Sequence, residues 1–189
     1  PQHVPAGHPP AIANPRRRPR TQERCFKAFA VLHSGVTRTP LYAAEYLTRK
    51  NMKNAGKLSR KDSFHAEDAL PESERAELDD YERSGYDRGH MAPNADFATR
   101  KTQAESFSLA NMVPQAPEHN CGAWAKSVEA TTRKYATRAS GDVSVITGLV
   151  FVPSIAQGPS IGPGQVHVPK YLFKLVYDND KNRAWARPH

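Results

Sequence analysis

Apolar and polar residues alternate in blocks that mark out strands and helices along most of the chain. The run Cys-Phe-Lys-Ala-Phe-Ala-Val-Leu-His from Cys25 to His33 reads as a strand. After a turn at Gly35, residues 40–48 read as its partner, with Leu41, Tyr42, Ala44 and Tyr46. Pro71 opens a charged helix containing Leu78 that stops near Gly85. Residues 99–110 read as helical. From about Gly122 to Ala139, Trp124, Val128, Thr131 and Tyr135 recur at helical spacing and predict a buried helix face. Residues 143–152 form a β-branched run suited to a central strand. Residues 153–165, rich in Pro, Gly and Ser, read as a surface loop, and residues 171–177 as a further strand. The chain ends soon after Trp185, as if a terminal element were missing.

Length and composition sharpen this picture. With 189 residues the chain predicts one domain with a real core, over 25–189. Residues 1–24 contain Pro15-Arg16-Arg17-Arg18-Pro19-Arg20 and read as a poorly ordered linker or arm. That segment has no apolar h-region, so it is no signal peptide, and the missing Met suggests a processed chain or an excised domain. No apolar run approaches membrane-spanning length, which argues against a membrane partner. The mean hydropathy of -0.70 fits a soluble globular protein, and the formal charge of +8 with a pI near 9.6 favours an anionic partner.

Candidate chemistry concentrates in Tyr86-Asp87-Arg88-Gly89-His90-Met91-Ala92-Pro93-Asn94-Ala95-Asp96. His90 offers a base that works near neutral pH. Arg88 offers a planar fork for a phosphate, and Gly89 allows a ligand to approach closely. Asn94 and Asp96 read as turn residues. A second segment follows with Asn111-Met112-Val113-Pro114-Gln115, Asn120, Trp124 and Glu129. Read as residues alone, Asn120 suits a helix N-cap, His90 suits a satisfied turn histidine, and Trp124 belongs to the core.

Asp87-Arg88-Gly89-His90 with Met91 and Ala95, followed by Ser106–Gln115, Asn120 and Trp124, resembles the signature of the DNA/RNA non-specific endonucleases. These are the ββα-metal, or His-Me finger, nucleases of the Serratia nuclease and endonuclease G type. The resemblance runs from about Cys25 to Asp178. It implies an α+β fold: a mixed, mainly antiparallel sheet flanked by helices and carrying a ββα-metal motif. It also implies a sequence-non-specific endonuclease of DNA and RNA, with His90 as general base. One hydrated divalent ion, usually Mg²⁺ with Mn²⁺ or another as an alternative, would be held by Asn120. Arg88 and Arg60 would grip phosphate oxygens, and Asp87, Asn111 and Gln115 would support the site. The local match around Arg60, in the basic stretch 57–64, is loose; the alternative is an ordinary exposed arginine.

Glu129 departs from the family pattern. Relatives place a glutamate eight positions after the metal-binding asparagine, whereas nine separate Asn120 from Glu129. In a regular helix eight steps turn through about 80° and nine through about 180°. Either a π-bulge between Trp124 and Glu129 or a regular helix that begins after Asn120 would let Glu129 orient a metal-bound water.

The resemblance also suggests a secreted or periplasmic protein, in which Cys25 and Cys121 could form a disulfide or remain two free thiols. Competing readings are a nuclease toxin domain neutralised by an inhibitor or immunity protein, and a module that binds nucleic acid without cutting it.

Overall fold

The computed structural model describes residues 10–13, 15 and 18–188. Residues 1–9, 14, 16 and 17 of the expected arm, and residue 189, lie outside the described residues. Six strands form one antiparallel sheet: β1 (Thr21–Cys25), β2 (Phe29–Ser34), β3 (Thr39–Leu47), β6 (Val143–Val150), β9 (Tyr171–Asp178) and β10 (Arg183–Pro188), in that spatial order. Two small hairpins accompany it: β4 (Asp87–His90) with β5 (Met112–Gln115), and β7 (Ser160–Ile161) with β8 (Val166–His167). The helices are α1 (Arg49–Ala55), α2 (Leu78–Tyr81), α3 (Arg100–Glu105) and α4 (Ala130–Arg138), with a π-helical segment, His119–Glu129, leading into α4.

Strand alternation sets the core. On one sheet face Val143, Val145 and Val176 pack under Ala136 and Ala139, around the C-terminal half of α4. On the same face Phe29, Val31, Ala43 and Leu172 pack against Met91 and Val113 at the β4–β5 hairpin, with Trp124 and Val128 from the π segment. Each such side chain contributes roughly 1.5–3 kcal/mol by leaving water. The hairpin and the helix that follows it are thereby fixed on one side of the sheet.

Several elements differ from the sequence expectation. Residues 21–24 are not arm: they pair with β2 from Thr21↔Ser34 to Cys25↔Ala30. The single strand expected over 25–33 is two, because the chain reverses between Cys25 and Phe29, where Phe26 stacks on Phe29 at 4.4 Å. The charged helix expected from Pro71 is a 3-10 turn, Glu72–Glu74, and the short α2. Its charges are spent elsewhere: the Asp80 carboxylate accepts from the Glu77 amide (2.8 Å) and the Gly164 amide (2.5 Å), tying α2 to the distant loop. The helix expected over 99–110 stops at Glu105, because Leu109 turns to donate its N–H to the His65 carbonyl (2.8 Å). The buried stripe of the long helix is Trp124, Val128, Thr132 and Ala136, not Thr131. Also unforeseen are α1, capped by Thr48 Oγ1 on the Asn51 amide (3.1 Å), the β7–β8 hairpin at the expected surface loop, and β10, the sheet's last strand.

Candidate active site

The β4–β5 hairpin sets the candidate residues in register. Asp87 lies opposite Gln115, Arg88 opposite Pro114, Gly89 opposite Val113 and His90 opposite Met112. Gly89 is required for packing rather than for a ligand: a Cβ there would sit 2.0 Å from Gln115 Oε1. Asn111 is fully buried and fastens the turn after His90. Its Oδ1 accepts from the Ala92 amide (2.9 Å), and its Nδ2 donates to the carbonyls of Ala92 and Ser106 (each 2.9 Å). Gln115, also buried, pairs through Nε2 with His119 Nδ1 (2.7 Å). Both residues thus brace the hairpin that carries His90.

His90 stands among aromatic rings. Phe107 meets it edge-to-face at 4.9 Å and Phe64 lies 6.0 Å away. The same two rings carry the arginines: the Arg88 guanidinium lies 4.4 Å from the Phe64 centroid and that of Arg60 5.5 Å from Phe107. Arg60 is also held by Asp62 in a fork of 2.5 and 3.3 Å. Burial, and then the Arg60 cation, push the His90 pKa down to about 3, against the pull of Asp62. The imidazole is thus neutral at physiological pH and able to accept a proton. Its Nε2 is enclosed and has no hydrogen-bond partner among the described residues. Asp62, Phe64 and Phe107 were not foreseen; each is an ordinary residue until the fold brings it to His90.

Asn120 comes to the hairpin from the π segment. Its Nδ2 donates to Asp87 Oδ2 at 2.9 Å, and Cys121 Sγ also points at that oxygen, at 3.7 Å. The bond fixes which end of the amide is which, leaving Oδ1 free to act as a hard oxygen ligand. Among the described residues no three His, Cys, Asp or Glu side chains converge as a metal cage. A lone amide oxygen beside a carboxylate instead suits a cation that keeps most of its water, as Mg²⁺ does. Cys25 and Cys121 are both free and exposed, so the disulfide is not formed.

The extra residue before Glu129 is accommodated by both routes foreseen. Residues 119–129 wind as a π-helix, and the Ala130 amide reaches back to the Ala125 carbonyl. Gly122 is non-helical (φ −96°, ψ −113°), so regular winding begins after Asn120. The Glu129 carboxylate lies 3.7 Å from Arg133, which pairs with buried Asp96 at 3.0 Å. Asp96 is therefore an ion-pair partner and not only a turn residue. Glu129 interacts with this cluster, and the Trp124 side chain beside it favours its charged form. No hydrogen bond or ion pair among the described residues joins it to His90, Arg88 or Asn120. Burial raises its pKa, opposed first by Lys174.

Lys174 itself is buried. It donates to Thr147 Oγ1 (2.6 Å), lies 3.8 Å from Glu45 Oε2, and sits 5.8 Å from the Trp124 ring centroid. Glu45 is fully buried and its pKa is pushed well up, first by burial and then by Asp96. Three carboxylates and two cations thus meet under the helix. No sequence signal marked this cluster.

The model of the family "DNA/RNA non-specific endonuclease" matches residues 10–188. The chain belongs to that family. It is 32% identical over 164 residues to the zebrafish (Danio rerio) mitochondrial nuclease EXOG, covering 82% of this chain and 47% of that protein. It is 34% identical over 157 residues to bovine (Bos taurus) mitochondrial endonuclease G, covering 79% and 52%. The chain thus spans about half the length of these curated relatives. A solved structure described as the EndoG/EndoGI complex superposes with a TM-score of 0.77 at 26% identity, covering 88% of this chain and 72% of that one. The α+β fold with its antiparallel sheet is that of EndoG. The expectation of a secreted or periplasmic protein is overturned: these relatives are named mitochondrial nucleases, as are those of fission and budding yeast.

Proposed function

We propose that this chain is a metal-dependent, sequence-non-specific endonuclease that hydrolyses phosphodiester bonds of DNA and RNA. The observation that carries the reading is a buried imidazole at His90 with guanidiniums on both flanking rings. His90 takes the proton from the attacking water. Arg88 and Arg60 hold the phosphate oxygens and stabilise the charge that develops on them. To do so, Arg60 exchanges its fork on Asp62 for the phosphate. Asn120 Oδ1 would hold the cation, with Mg²⁺ as the preferred ion and Mn²⁺ as a substitute, and Asp87 keeps that oxygen turned outward. The bound cation supplies Lewis-acid stabilisation of the phosphate and an acidic water for the leaving oxygen. Glu129, anchored by Arg133, would orient a water bound to that ion. A site that grips one phosphate reads backbone rather than bases, which supports cutting without sequence preference.

The matched complex concerns inhibition of EndoG, and this supports an inhibitor protein as a partner of the chain. The relatives' names support a mitochondrial location. Digestion of plasmid DNA and of structured RNA in Mg²⁺, with parallel reactions in EDTA, tests the reading. Cutting of both that EDTA abolishes is expected. Retarded migration with no cutting would replace this reading with that of a binding module.

A further inference from the structure

A second basic feature lies outside the catalytic hairpin. A groove of about 380 Å³ runs between α4 and the β9–β10 edge of the sheet. Its cations are Arg138 from α4, the buried Lys174 on β9, and Lys181, Arg183 and Arg187 from the other wall, and no carboxylate is among its lining residues. Tyr135 and Trp185 meet edge-to-face at 4.5 Å between these walls. The nearest acid, Asp178, is fully buried and already engaged by the Tyr135 hydroxyl, by the amides of Asp180 and Lys181, and by the Lys181 ammonium at 3.7 Å, which leaves the arginines as the groove's uncompensated charge. Arg183 and Arg187 are exposed, and neither has an ion-pair partner among the described residues. Strand alternation puts both on the same side of β10 as Trp185. A single-sign field concentrated in one concave surface recruits polyanions.

The groove is continuous with the catalytic elements. Val128 and Lys174 line it, and Lys174 also acts on Glu129 and lies over Trp124. From Glu129 to Arg138 the helix rises about 14 Å, roughly four nucleotide steps of a duplex.

We propose that this groove is an accessory binding site for the phosphate backbone of the nucleic acid, several nucleotides from the scissile phosphate. The proposal rests on the nuclease reading above for its ligand. Arg183, Arg187 and Arg138 supply the charge, and each phosphate neutralised releases condensed counterions. Substrates long enough to reach the groove gain affinity; those confined to the catalytic hairpin do not.

The test measures binding by the inactive His90→Ala protein, using fluorescence anisotropy with 6-bp and 30-bp DNA duplexes across a salt series. Arg183→Ser combined with Arg187→Ser is expected to weaken the 30-bp complex about tenfold. It should also reduce the slope of log K against log salt by about 2, close to 0.9 for each phosphate that is no longer neutralised. The 6-bp complex, only about two steps longer than the span to the groove, should lose markedly less. Arg138→Gln, on the opposite wall, should lower the slope by about 1, and this variant remains informative if the edge-strand variant fails to fold. Arg183→Lys with Arg187→Lys, which keeps both charges, should retain the slope. An unchanged 30-bp affinity, or equal losses for both duplexes, would overturn the proposal. Catalysis is read separately, as cleavage of the short duplex by proteins that retain His90, so failure of the groove is distinguishable from failure of the nuclease reading.

Discussion

Asp87 and Asn120 meet at 2.9 Å, Oδ2 to Nδ2, across the joint between the catalytic hairpin and the helix that follows it. The bond ties the acid at the head of β4 to the amide placed to hold a cation. Asp87→Asn keeps the size of the side chain but can present its own N–H₂ to that amide. Weakening such a supporting hydrogen bond costs about 10–100-fold in metal affinity. The Mg²⁺ concentration for half-maximal cleavage should therefore rise by that order, while the rate at saturating Mg²⁺ changes far less. A metal titration of initial rates separates the two effects.

Gly89 and Gln115 define the tightest approach in the hairpin. A methyl group at residue 89 would meet the Gln115 side chain at 2.0–3.0 Å on buried, antiparallel strands. Gly89→Ala should destabilise the fold by about 1–3 kcal/mol through overpacking. Urea denaturation should show a lower midpoint with an unchanged slope.

The buried cluster beneath Glu129 makes a double-mutant prediction. Lys174→Met leaves Glu45, Asp96 and Glu129 facing Arg133 alone, and removing one member of a buried ion pair costs about 3–5 kcal/mol. Adding Glu45→Leu removes the orphaned acid and should recover most of that loss. Thermal unfolding of both single variants and the double variant gives the coupling directly.

His90 also predicts how stability varies with pH. Its folded pKa, about 3, lies below the ordinary histidine value. Between about pH 6.5 and 3 the unfolded chain binds a proton that the folded protein refuses. Stability is therefore complete above about pH 6.5 and falls as pH drops towards about 3, by an amount on the order of a few kcal/mol. His90→Gln, which cannot titrate, should show a flatter decline over that window in denaturation series.

Much of this site was legible in the sequence because its parts are local. Asp87, Arg88, Gly89 and His90 form one strand, and Met112 to Gln115 the strand beside it, so two short segments held the hairpin. The shift at Glu129 was legible too, because one surplus residue has few ways to be absorbed, and a π-helix with a kink at Gly122 absorbs it. What could not be read depends on distant pairing. Phe64 and Phe107 gain meaning only when two loops meet at His90. Lys174, Glu45 and Asp96 come from separate elements, and their burial follows from sheet register. The arm boundary, α2 and β10 were misjudged or missed for the same reason. Thr21–Cys25 is a strand because β2 offers an edge, and the acidic run after Pro71 is drawn into tertiary contacts instead of helix.

The central claim is that His90 is the general base, and single-turnover cleavage of a labelled duplex at saturating Mg²⁺ tests it most directly. His90→Ala should cut about 10²–10⁴-fold more slowly than the wild-type chain, with substrate affinity little changed and part of the rate restored by added imidazole. Cleavage by His90→Ala at the wild-type rate would contradict the account.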